Sequence, residues 1–351
     1  MTQMTPKQID EAEAAGIITA KQATAMRKLS ISGEAQNIAD LNAAVIGDED
    51  NMRFVRSFSD VFIAIGIGLL ALGLWGLSGM FGGGGAYLLA AAAMALLAAY
   101  FGRKTRQHLP TLITALAFLF FTHKGLGGMI GINSPVMASL ITIIAMLGYY
   151  FFIRLPFCIA LIAISMIILI FTLAGQFIPD LLKGNRSWFF VVCGFITLIA
   201  AVLYDMKDTQ RLTRFSDNAF WLHLTAAPLI VHGLAFRAAI AKSDMAFGLV
   251  PTLDVNQGDA IGLLVIVVLI GLLGLALNRR ALLVASLGYA GFAIVFLFSG
   301  AGVGFGLSLV LALLLLGAAV IFLGAGWHSA RNILIKVLPK WKIFPAAYVP
   351  K

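Results

Sequence analysis

Residues 260–299 read AIGLLVIVVLIGLLGLALNRRALLVASLGYAGFAIVFLFS. Two apolar runs, 260–277 and 281–299, are separated only by Asn278, Arg279 and Arg280. The apolar residues come as blocks and do not alternate with polar ones. At about 1.5 Å per helical residue, each run matches a hydrocarbon core of about 30 Å. A helix also satisfies its own backbone, which lipid requires. The stretch reads as two membrane-crossing helices joined by a basic turn.

The same pattern recurs along the 351 residues, which are 60% hydrophobic and only 12% charged. A soluble domain carries about twice that charge. Spans are expected at 60–79, 86–101, 109–122, 135–153, 156–178, 188–204, 219–236, 260–277, 281–299 and 302–326. The blocks rich in Gly, Leu, Ala and Ile exclude the short alternating segments of a β-barrel. The fold class is therefore all-α, a polytopic transmembrane bundle of about ten spans. Residues 1–30 form a short helical hairpin, 31–58 a linker, 59–327 the bundle and 328–351 a basic amphipathic tail. The polar first 50 residues argue against a cleavable signal peptide, so the first span is expected to direct insertion.

Orientation follows from the basic residues. With the N-terminus in the cytoplasm and the spans alternating, 20 of the 25 Lys and Arg fall on the cytoplasmic side. The outer side keeps Lys124, Lys183, Arg186, Arg237 and Lys242. Removing the short third span would reverse everything after it. The chain is thus expected in a bacterial inner membrane with both termini cytoplasmic. Its net charge of +9 then faces anionic headgroups rather than nucleic acid. Membrane lipids are the expected partners. Residues 238–250 read as an interfacial helix on the outer surface.

In the hairpin, Thr5-Pro6-Lys7-Gln8 and Thr19-Ala20-Lys21-Gln22 both fit a capping box, and Gly16 fits a left-handed stop between them. A hairpin this small needs another surface, either a second copy or a membrane partner. The tail sets Ile333, Leu334, Val337, Leu338, Trp341 and Phe344 among basic residues. It reads as a segment on the inner leaflet, or as a docking site for a cytoplasmic partner.

Chemistry-bearing residues are few. Cys158 and Cys193 lie inside apolar spans, which argues against disulfides and zinc. Gly82-Gly83-Gly84-Gly85 lacks the Lys-Ser/Thr of a phosphate loop and reads as a turn. Gly125, Gly127, Gly128 and Gly131 read as a close-packed or re-entrant segment. No acid, base and nucleophile converge, and no cofactor is implied. Asp60 and Asp205 fall at span ends, so no carboxylate sits mid-span. That argues against a pump built on buried carboxylates.

The seventh span is the exception. Pro228 cannot donate to the carbonyl of Leu224, and His223 lies beside this weak point. His232 is nine residues on, half a turn out of phase, so the two cannot share a metal. The candidate ligand-binding residues are His223, Trp221, Pro228 and His232. The plainer reading gives each histidine a hydrogen bond to headgroups or a neighbouring helix. Ten spans also divide into two five-helix halves, a plan common in transporters.

The stretch from Asp217 through Trp221, His223 and Pro228 to His232 resembles part of a family of uncharacterised proteobacterial membrane proteins. Arg53 to Phe62 and Gly326-Trp327-His328-Ser329-Ala330-Arg331 fit the same family. The N-terminal hairpin is similar to that of the DUF2157 membrane proteins. The resemblance implies the topology and no mechanism. Two functions are open: a transporter or binding protein for a small neutral or apolar solute, and a non-catalytic scaffold or regulatory subunit of a membrane complex.

Overall fold

A computed structural model describes residues 6–20, 22–24, 58–129, 134–208, 213–240, 245–246, 250–251 and 257–338. The chain divides into two compact units, 1–51 and 52–351.

In the first unit, helix α1 (Pro6–Ala14) starts at its proline. Gly16 takes φ +69°. The amide of Ile17 reaches back to the carbonyl of Ala12 at 3.0 Å, and that of Gly16 to Glu13 at 3.0 Å. These two bonds define a Schellman stop. The second capping box forms as expected: the Thr19 amide donates to Gln22 Oε1 at 2.9 Å, and the Gln22 amide to Thr19 Oγ1 at 3.4 Å. Ile9 and Ala23 are buried. Thr5 of the first box, the rest of the second helix and the linker lie outside the described residues.

The second unit is a helical bundle. Its helices are α2 (Phe58–Phe81), α3 (Gly84–Ala98), α4 (His108–Gly127), α5 (Pro135–Ile153), α6 (Phe157–Phe177), α7 (Pro179–Lys207), α8 (Arg214–Ile240), α9 (Gln257–Leu277), α10 (Arg280–Gly300) and α11 (Phe305–Val337). Among the described residues, nine helices are long and apolar enough to cross a membrane. The protein is an integral, multi-pass membrane protein. The expected seventh span lies in α8, which is not one of the nine. Its 27 residues are ample in length; Arg214, Ser216, Asp217 and Asn218 precede the expected span, which itself carries His223 and His232.

Several boundaries differ from expectation for local reasons. The second span continues from α3 through a π-helical turn, Ala99–Lys104. The third span runs five residues past 122, where Gly125 packs against Leu88 and Gly84 of α3. The Gly84 amide donates to the Gly128 carbonyl at 3.1 Å. A β-carbon on Gly84 would collide with backbone at Gly125, Gly128 and Met129. Close packing thus explains Gly125 and Gly128. Gly127 faces open space. α7 kinks at Asn185, whereas α8 continues through Pro228. In place of the expected interfacial helix at 238–250, α8 ends at Ile240, and Met245–Ala246 pairs antiparallel with Val250–Pro251.

α11 carries the last span and the first part of the expected tail without a break. Its 33 residues extend about 50 Å. Residues 339–351 lie outside the described part. Arg331, expected at the headgroups, is fully buried.

The buried cores fall into two sets along the chain. One joins α2 to α6, through Ile67, Met94, Phe121, Met146, Cys158 and Leu161. The other joins α7 to α10, through Leu198, Ala227, Val231, Ile270 and Leu282. Long stretches of Leu, Ile and Phe on α2 and α11 are exposed. Such surfaces suit lipid and would be a liability in water.

Candidate functional site

The main polar site of the bundle begins with a turn. α9 ends at Leu277, and Asn278 follows with φ +55°. The Arg279 amide reaches back to the Gly274 carbonyl at 2.7 Å, and the Asn278 amide to Leu275 at 3.2 Å. This is again a Schellman stop, with asparagine in the left-handed position it tolerates better than most residues. Asn278 Oδ1 accepts from Trp327 Nε1 of α11 at 2.8 Å. The turn is thereby tied down, and the Arg279 side chain enters the bundle with 1% exposure.

Arg279 meets Asp205 of the last turn of α7. Its Nε lies 3.1 and 3.2 Å from the two carboxylate oxygens, and Nη2 donates to Oδ1 as well. Nη2 also reaches Ser216 Oγ at 3.0 Å and the Ser216 carbonyl at 3.3 Å, in the first turn of α8. The second carboxylate oxygen, Oδ2, lies 2.8 Å from Nε2 of buried His223. A carboxylate only accepts, so this geometry places the histidine proton on Nε2. Three separate chain segments thus meet in one charged cluster.

Close packing holds α7 and α8 at the required distance. A β-carbon on Gly194 would lie 2.6 Å from Ile230 Cγ1, and one on Gly233 would lie 2.7 Å from the Ser187 carbonyl. The α7–α8 connection is tied locally: Thr213 donates through its amide (2.7 Å) and hydroxyl (2.6 Å) to Asp208 Oδ2. Beside it, Asn218 donates to the Tyr150 hydroxyl at 3.3 Å, linking α8 to α5.

The four candidate residues from the sequence do not form one site. His223 belongs to the ionic cluster. Trp221 is buried edge-on to Phe157 of α6, with ring centroids 4.6 Å apart. Pro228 lies within a continuous helix. His232 is 3.1 Å from the Tyr289 hydroxyl and edge-on to Phe190 at 5.3 Å. The half-turn between the histidines does not send them to unrelated surroundings. Both find a partner on α7, Asp205 for His223 and Phe190 for His232, and His232 also reaches Tyr289 of α10. Between them lie apolar Ala226, Ala227, Ile230 and Val231.

Sequence reasoning missed Asp205, Ser216 and Arg279 as a group. Arg279 counted as a loop charge facing headgroups, and its burial corrects that reading. Two adjacent arginines in a three-residue turn were the available signal, since opposed directions leave room for one to turn inward. Arg280 instead lies over the Trp327 ring at 5.4 Å. No group of three metal-ligating side chains occurs among the described residues. Comparison with protein-family models, curated proteins and solved structures finds no match.

Proposed function

We propose that this membrane protein is a carrier or binding protein for a small neutral or apolar solute, with the Asp205–Arg279–His223 cluster as the closure at its basic end. The cluster itself carries the reading. Ionisable groups buried in a bundle are costly and by default mark function. Arg279, on the α9–α10 turn, joins the end of α7 through Asp205 and the start of α8 through Ser216, and His223 adds a bond from the third turn of α8. Those are segments that must separate for a solute to leave at that end. The sparse charge elsewhere in the spans favours uncharged cargo. The basic end is taken as cytoplasmic, in a bacterial inner membrane.

Proteoliposomes can be shocked osmotically with glycerol, urea or erythritol and followed by light scattering. At least one solute is expected to re-enter severalfold faster than in protein-free vesicles. His223→Ala is expected to slow it, because a carrier closes one end before opening the other. Entry rates equal to those of empty vesicles across the set would refute the carrier reading.

A scaffold or regulatory role is the second reading, favoured by the hairpin. Ile17 at its turn is 76% exposed, an apolar residue offered beside two well-formed helix ends. Deleting residues 1–30 is then expected to change particle size in detergent. An unchanged size would remove the hairpin as an assembly element.

A further inference from the structure

We infer that the turns after α3 and α5 form a binding site for the headgroup of an anionic membrane phospholipid. Four exposed cations gather there: Arg103, Lys104 and Arg106 on the first turn and Arg154 on the second. The two turns touch. The Arg103 guanidinium lies over the Phe152 ring at 4.5 Å, and a β-carbon on Gly102 would meet Ile153 Cγ2 at 2.9 Å. The π-helical turn brings this about. Its amides run long, from Thr105 to the Tyr100 carbonyl at 3.1 Å and from Gln107 to Phe101 at 2.8 Å. Arg106 and Arg154 both have left-handed backbone, φ +55° and +59°, where arginine carries a steric cost.

Among the described residues the cations lack carboxylate partners. The sequence has no Asp or Glu between Asp60 and Asp180, and among the described residues no acid pairs with any of the four. An apolar floor lies directly beneath. Tyr100, Phe151 and Phe152 are 49%, 70% and 51% exposed, and Lys104 sits over the Tyr100 ring at 5.2 Å. Guanidinium forks match phosphate oxygens, and the exposed rings suit the glycerol and upper acyl region. Basic sites between helices at one leaflet are a known mode of headgroup recognition. A second basic spot, Lys207 between Tyr204 and Phe215, differs because Asp205 and Asp208 adjoin it. It serves as the control.

The test is native mass spectrometry of the intact protein in detergent, titrated with diphosphatidylglycerol or with phosphatidylcholine. The intact protein is expected to retain the anionic lipid at about tenfold lower concentration. Arg103→Gln/Arg154→Gln removes most of that preference, and the exposed pair Lys104→Gln/Arg106→Gln weakens it in the same direction. Lys207→Gln/Arg214→Gln keeps it. No preference in the intact protein, full preference in both variants at the turns, or an equal loss in the Lys207/Arg214 variant would overturn the site in favour of diffuse attraction.

Discussion

Arg279 and Asp205 are 74 residues apart in sequence, yet the guanidinium contacts both carboxylate oxygens inside the bundle. This pair closes a loop of chain running through α8 and α9, and His223 completes it from α8. Breaking a buried pair by removing one partner leaves an uncompensated charge and costs about 3–5 kcal/mol. Asp205→Asn and Arg279→Gln are each expected to lose that order of stability in detergent unfolding. Asp205→Leu/Arg279→Leu, which removes both charges, is expected to recover much of it. A double variant as unstable as the sum of the single ones would refute this coupling.

His223 contributes a hydrogen bond to an ionised group, a class worth about 1.5–3 kcal/mol. His223→Gln can keep a donor in reach of Asp205 and is expected to fall less in melting temperature than His223→Ala. Equal losses would show that packing, and not the bond, is the histidine's contribution.

The turn at Asn278 separates into two contributions. Asn278→Gly keeps the left-handed backbone and loses the Trp327 bond, a net cost of about 1 kcal/mol. Asn278→Ala loses the bond and adds a backbone penalty of about 1–2 kcal/mol. Alanine is therefore expected to melt below glycine, and the reverse order would contradict the turn geometry.

The glycines divide sharply by surroundings. Gly194→Ala and Gly233→Ala force α7 and α8 apart, with an expected cost of about 1–3 kcal/mol. Gly66→Ala and Gly127→Ala meet nothing within 4 Å and are expected to be neutral or mildly stabilising. Thermal scans of the four purified variants decide it.

Apolar run length was enough to reveal the bundle, because lipid imposes both helix length and backbone closure. The caps around Gly16 were legible for a similar reason: Thr19 and Gln22 act on their own backbone within a few residues. The span ends were less legible, since Gly125 extends its helix through contacts with α3 that no local pattern records. The ionic site was half legible. His223 stood out as a polar residue in an apolar run. The carboxylate it bonds lies 18 residues back and the arginine that shares that carboxylate lies 56 ahead, in segments that read as ordinary polar ends. Pro228 drew attention as a breaker, yet α8 absorbs it without interruption.

α11 is the least buried of the nine long apolar helices, with 11% of its most apolar stretch buried. It nevertheless delivers Trp327 to Asn278, the residue that aims Arg279. Its apolar part, 305–326, runs about 33 Å, slightly beyond the hydrocarbon core of about 30 Å, and continues rigidly into the basic tail, so hydrophobic mismatch acts on it directly through tilt. Bilayer thickness thereby becomes an input to the ionic cluster. Reconstitution into short-chain and long-chain lipids is expected to shift the stability loss of Arg279→Gln, whereas Trp327→Phe, which lacks the indole donor, should blunt that dependence.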